Sequence, residues 1–385
     1  MIDTILLKIP HGKFAVTLYD KFQPNARGFF LEPFLPFTGQ PFIKAVNNPT
    51  KLNLRNGVYR PRLTLYKRYG KIHGSFPISL HIELSLPKLL YHNNFDELKD
   101  ADFETIITIL KRQLLLMGVI ISKDNLRTAE VHAVHYSKNI VFNDGTTASM
   151  ILGYLQKIKL TKRLDMNATD FRNQGEAVRY YAKSHEFVFY DKVADLSKSK
   201  DRAMEKKDRE WNPQMDMFDA IRRQDRPIEV LRMELRLKSR KKIKLTFEGT
   251  KDQNEMAFQS MFSEQLSQKL LQEYWSIIYD ELRPILLQEL NSLERFVLIQ
   301  KQRCQWQPQR ILAMVGICEM VKTDGHRKTR NCLAKSFHDR TFARIYKDIK
   351  ELDFKILNKA KPFEHVNKVL KDFVALKKEC FNLNV

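Results

Sequence analysis

Two short stretches alternate apolar and charged residues so strictly that they dictate the surface this chain has to build. In Leu231-Arg232-Met233-Glu234-Leu235-Arg236-Leu237-Lys238 the leucines and Met233 fall on one side, and Arg232, Glu234, Arg236 and Lys238 fall on the other. Earlier in the chain, Phe187-Val188-Phe189-Tyr190-Asp191-Lys192 repeats the pattern and sets Tyr190 on the same side as Lys192. A period of two belongs to a half-buried β-strand. Both stretches therefore predict strands of a sheet with one packed face and one polar face.

That polar face carries chemistry. A tyrosine hydroxyl beside a lysine amine, near a carboxylate able to hold a metal, is equipment for attacking a phosphodiester. The lysine lowers the phenol's pKa or neutralises phosphate charge, and a divalent ion polarises the scissile phosphate. The same alternation also fits an ordinary amphipathic strand whose Arg/Lys row is a solvated outer face. Phe187 and Phe189 are expected in the core. Tyr180 and Tyr181 fit either core positions or stacking on unpaired bases.

Ile2 to Ile9, Arg62 to Tyr69, Ile78 to Leu86 and Ala129 to Ile140 read as further strands, the middle two as a hairpin across Gly70–Pro77. Residues 30–58 read as loop with short extended pieces. Helical period covers Asp102 to Met117, closed by Gly118, and Thr147 to Lys157. Asp191 to Asp225 is a charge-mixed excursion or solvated helix, and Lys238 to Lys244 a basic strand end. From Glu255 onward only helical patterns appear, and three short helices within residues 311–352 have helix-turn-helix-like spacing. The fold class is therefore α+β. An antiparallel-sheet domain with helices on one face is expected over residues 1–245, a helical connector over 246–308 and a C-terminal helical domain over 309–385.

A chain of 385 residues is long for a single ordinary core. Its formal charge of +21 calls for a polyanionic partner, of which nucleic acid is the commonest; a ribosomal or anionic-membrane surface would also match. The four cysteines lie in the last quarter without CxxC spacing, which argues against a zinc site or a disulfide framework. No stretch reads as a secretory signal or a transmembrane helix, so a cytoplasmic protein is expected. Walker A, GxGxxG, GxSxG and HExxH motifs are absent, which removes sequence support for P-loop, Rossmann, hydrolase-elbow and zincin chemistry.

Candidate metal ligands are His81 and Glu83, which share a strand face, with His132, His135 and Glu234; Glu130 shares a face with His132. His132 and His135 are three apart and point to opposite faces unless the strand bulges. Nitrogen and oxygen donors together suit Mg²⁺ or Mn²⁺. Arg232, Arg236, Lys238, Arg240, Lys241 and Lys242 are the candidates for tracking a DNA backbone.

Several pieces, in this order, resemble one family. Met1-Ile2-Asp3-Thr4-Ile5-Leu6-Leu7-Lys8-Ile9-Pro10 is similar to the opening of the gene II/X replication proteins of filamentous phages and their bacterial relatives. Ile82-Glu83-Leu84-Ser85-Leu86-Pro87-Lys88 through Asn94 resembles that family's acidic strand and turn. Phe187 to Leu196 resembles its nucleophile segment, Leu231 to Lys238 its Arg-x-Glu strand, and residues 311–352 its C-terminal helices. Where the family shows an Arg-x-Asp strand, this chain has Glu130-Val131-His132. The resemblance implies a rolling-circle replication initiator that nicks and rejoins one DNA strand through a 5′-phosphotyrosine, using a divalent metal. It implies Tyr190 as nucleophile, Lys192 as its neighbour, and Glu83 and Glu234 as sheet carboxylates. Single-stranded or hairpin origin DNA, a host helicase and a polymerase would be the partners. The rival expectation is a non-catalytic origin-binding or regulatory DNA-binding protein on the same scaffold.

Overall fold

In the computed structural model the described residues are 1–31, 42–49, 53, 58–68, 76–158, 177–195, 228–247, 256–324, 326–336, 339–353 and 360–378. Eight strands form one antiparallel sheet: β1 (Ile2–Pro10), β2 (Phe42–Asn47), β3 (Arg62–Arg68), β4 (Ile78–Ser85), β5 (Glu130–Phe142), β6 (Ala177–Ala182), β7 (His185–Asp191) and β8 (Glu229–Leu237). Their spatial order is β2-β3-β4-β1-β5-β8-β7-β6, so the first strand of the chain lies between the two halves of the sheet. The expected Arg62 and Ile78 strands are the adjacent antiparallel pair β3 and β4. Most of the turn between them, and residues 196–225 of the expected excursion, lie outside the described residues.

Alternation decides which face is packed. Leu231, Met233, Leu235 and Leu237 of β8, Phe187 and Phe189 of β7, and Leu80, Ile82 and Leu84 of β4 are all buried on the apolar face. Each such side chain contributes about 1.5–3 kcal/mol by leaving water. Helices complete the layer: α1 (Leu86–Tyr91), α2 (Phe103–Leu116), α3 (Ala148–Lys157), and α5 (Glu264–Gln288) with α10 (Lys361–Asp372) from the later part of the chain. Gly118 closes α2 at φ +80°, and an added Cβ there would meet Leu18 Cβ at 2.4 Å, so only glycine fits. Thr147 caps α3 by accepting the Met150 amide at 3.2 Å.

Helix α5 covers the centre of the sheet. Ser263 caps its start, and Leu270, Leu271, Trp275, Ile278 and Leu282 recur at helical spacing on its buried side. Its Tyr274 and Trp275 rings lie 5.7 and 5.9 Å from Phe187 and Phe189. One continuous apolar core thus runs across residue 245. The boundary expected there marks a change of element type and leaves the core unbroken. One expectation needs correction. Within Lys238 to Lys244, read as a basic strand end, the chain turns at residue 240 into helix α4 (Arg240–Phe247), because Ser239 accepts the Lys242 amide and Ile243 turns into the core. The edge strand β2 is one of the short extended pieces expected within residues 30–58.

Beyond α5 the chain continues through α6 (Ser292–Gln302), α7 (Pro308–Asp324), α8 (His326–Ser336) and α9 (Asp339–Lys350). Ile317, Val321 and Phe342 form a small separate core there, with Leu333, Ile345 and Tyr346 against it. No helix among the described residues is long and apolar enough to cross a membrane.

Candidate functional site

The polar face of β1, β5, β8 and β7 gathers charge around Tyr190. Register does this: Arg232 is opposite Tyr190 on β7 and Asn139 on β5, Glu234 opposite Val188 and Ser137, and Arg236 opposite Glu186 and His135. The Tyr190 hydroxyl donates to Glu234 Oε1 at 3.3 Å. That oxygen also accepts from Arg232 Nε at 3.2 Å, while Glu234 Oε2 accepts from Arg236 Nε at 2.6 Å. Burial opposes the Glu234 charge, yet the Arg236 and Arg232 guanidiniums hold the carboxyl well below the usual range. Arg232, only 2% exposed, donates Nη1 to Asn94 O at 2.9 Å and Asn139 Oδ1 at 3.2 Å. Its Nη2 reaches Ser137 Oγ at 2.9 Å and pairs with Asp3 at 3.1 Å.

Lys192 stands apart from this network. Residues 192–195 turn helically just after β7, and the Lys192 side chain is fully buried, with its Nζ 5.8 Å from the Tyr190 ring centre. That amine makes no hydrogen bond among the described residues. Burial, followed by the nearby Arg232 charge, pulls its pKa down to about 7, so it is substantially neutral at neutral pH. Burial and then Glu234 push the Tyr190 phenol well above its ordinary value. Tyr190 itself remains partly exposed.

The five metal candidates do not meet at one point. Both oxygens of Glu234 are occupied by guanidiniums, which leaves that carboxylate no room for a metal, and the buried His135 lies in its field. Glu83 is exposed, opposite Arg62 on β3. His81 and His132 do come together, with ring centres 5.6 Å apart. His132 Nε2 bonds Glu130 at 3.1 Å, and the buried His81 Nε2 has no hydrogen-bond partner among the described residues. Burial lowers the pKa of both rings, that of His81 to about 4, leaving neutral nitrogens of the kind a divalent ion accepts. Among the described residues, no three His, Cys, Asp or Glu side chains are arranged to hold a metal. His132 and His135 share a face after all, because β5 bulges: Leu7 opposes Val131 and Leu6 opposes Ala133, leaving His132 as the extra residue.

The basic candidates divide as well. Arg232 is enclosed by internal acceptors and is not a surface for DNA. Arg236 and Lys238 hold Glu186 at 3.1 and 2.6 Å, and Arg240 pairs with Glu130. Lys238, Arg240 and Lys241 are exposed, and Lys242 is half-buried. Phe187 and Phe189 are core, as expected, and Tyr180 is buried with its hydroxyl on the Leu155 carbonyl; Tyr181 is exposed. Sequence reading missed Glu186 and Asp3. Glu186 was detectable, since it lies two alternate positions from Tyr190. Asp3 beside Thr4 interrupts the alternation of the opening strand, and β1 bulges there.

Comparison with family models, with curated proteins and with solved structures finds no match to this chain.

Proposed function

We propose that the chain is a DNA nicking–closing endonuclease of the rolling-circle replication type, with Tyr190 as the nucleophile. The observation that carries this reading is a partly exposed tyrosine whose desolvated hydroxyl is held on Glu234, beside a buried lysine amine that makes no hydrogen bond among the described residues. A phenol whose pKa is raised needs a base. Glu234 is a weak one, because two guanidiniums stabilise its anion, whereas the Lys192 amine is free to accept. In the proposed step the phenol proton passes to Lys192 and the phenolate oxygen attacks phosphorus. The P–O3′ bond breaks as the P–O(Tyr) bond forms, and the departing 3′ oxygen takes the proton from the Lys192 ammonium. Reversal rejoins the strand without a nucleotide cofactor, in keeping with the absent P-loop. The resemblance of the strand segments to those of the phage replication proteins supports the same assignment. His81 and His132 would supply two neutral nitrogens to the Mg²⁺ or Mn²⁺ that the resemblance implies, but His132 is seven residues along β5 from the Asn139 that flanks Arg232 and Tyr190, so no step is routed through a metal.

Incubation with end-labelled single-stranded hairpin DNA and Mn²⁺ tests the proposal. The expected product is an adduct that survives denaturation, maps to Tyr190 by mass spectrometry and disappears in Tyr190→Phe. Undiminished adduct in that variant would transfer the role to another tyrosine, Tyr181 first. A second reading, a non-catalytic origin-binding protein, draws on one observation: the metal candidates are split between two places. Sequence-selective binding without any adduct under these conditions would favour it.

A further inference from the structure

The chain's positive charge is unevenly placed. Residues 264–302, which supply the helix over the sheet, hold four Lys and Arg against six Asp and Glu. Residues 326–350 hold eight against two, with Asp348 already paired to Arg310 at 2.7 Å. Both helices of this segment use one side for packing. Leu333 of α8 and Phe342, Ile345 and Tyr346 of α9 turn toward the small core with Ile317 and Val321 of α7. The opposite sides are open to solvent. On α8 these are Lys328, Asn331 and Lys335, spaced three and four apart and so in one stripe; on α9 they are Arg344 and Lys347, three apart.

We propose that these outer sides form a second nucleic-acid surface, separate from Tyr190, that takes duplex DNA: α8 enters a groove and α9 lies on the flanking phosphates. An α-helix fits the major groove of B-form DNA, and α8 places a base-reading amide between two cations, whereas the exposed stripe of α9 is purely cationic. Duplex is favoured over single-stranded DNA because single strands are held by exposed aromatic platforms. Here Phe342 is buried, and Tyr346 stacks on it at 5.8 Å between ring centres. The ion pairs that Lys328 makes with Asp324 and Lys347 with Glu351 are solvent-exposed, and phosphate can displace such pairs at little cost.

The test is fluorescence anisotropy of the full chain on a labelled duplex and on its separated strand over a salt series. It compares the parent with the triple variant Lys328→Ala, Lys335→Ala, Arg344→Ala, whose positions are exposed. Duplex affinity should fall about tenfold or more, and the slope of log affinity against log salt should flatten by about 2–3, near 0.9 for each phosphate no longer neutralised. Binding to the single strand and adduct formation at Tyr190 should persist. Unchanged duplex affinity and slope would overturn the proposal. So would an equal loss on the single strand, or tighter binding to duplex RNA of the same sequence. Failure of the nicking reading stays distinguishable: a chain that binds duplex through these residues but forms no adduct loses Tyr190 as nucleophile and keeps this surface.

Discussion

Lys192 and Glu234 both lie against Tyr190, and their surroundings suit them to opposite tasks in the proposed step. Both oxygens of Glu234 already accept from guanidiniums, whereas the desolvated Lys192 amine makes no hydrogen bond among the described residues and would take the proton. A buried amine of this kind weakens the fold. With its pKa near 7 in the folded chain and 10.5 as the ordinary value, the unfolded chain binds the extra proton between those limits. Stability therefore rises with pH through that window, and below it the full cost of charging the buried amine is present. Lys192→Met should raise stability by about 1 kcal/mol or more in chemical denaturation while abolishing adduct formation, the exchange expected of a functional residue. In the parent, single-turnover adduct formation should increase through about pH 7 and level off above it, since only the neutral amine is a base. A Lys192→Met variant that is less stable and still active would show the amine to be a structural group.

At the scale of elements, two bulges build the polar face. The extra residue in β1 is Asp3, which reaches Arg232, and the extra residue in β5 is His132, which reaches His81 on β4. Bulges re-aim side chains in this way next to functional sites. The His81–His132 contact also ties stability to pH. Burial, then His132, Lys8 and Arg68, lowers the His81 pKa from 6.5 to about 4. Between those values the unfolded chain holds a proton that the folded chain lacks, so stability is complete above about 6.5 and declines as pH falls toward 4. The urea midpoint of the parent should drop across that window, and His81→Asn should flatten part of the decline. An unaltered slope in the variant would assign the decline to other groups.

Across the whole molecule, the apolar side of the sheet depends on helices that come much later in the chain. Trp275 covers Phe189, and His365 of α10 bonds the Val141 carbonyl of β5 at 2.8 Å. A fragment ending at residue 247 would leave the centre of that face bare, an exposed apolar patch of the kind that drives aggregation. Such a fragment should be insoluble or lack a cooperative thermal transition by circular dichroism; a cooperatively folding fragment would establish an independent sheet domain.

The strands and the division of the sheet into packed and polar faces were legible from the sequence because side-chain alternation is local: Leu235 turns inward wherever the partner strand comes from. Tyr190, Glu234 and Arg236 could be placed on one side for the same reason, whereas Lys192 lies in the helical turn past the end of β7, where alternation no longer applies. Which charges meet was a different matter. Arg232 looked like a DNA contact until strands from opposite ends of the sheet-forming sequence enclosed it with Asp3, Asn139 and Ser137. The five ligand candidates fell into two groups because register and two extra residues, which alternation cannot foresee, fix their positions. Pattern along the chain set the face each residue would occupy, and pairing between distant strands chose its neighbours.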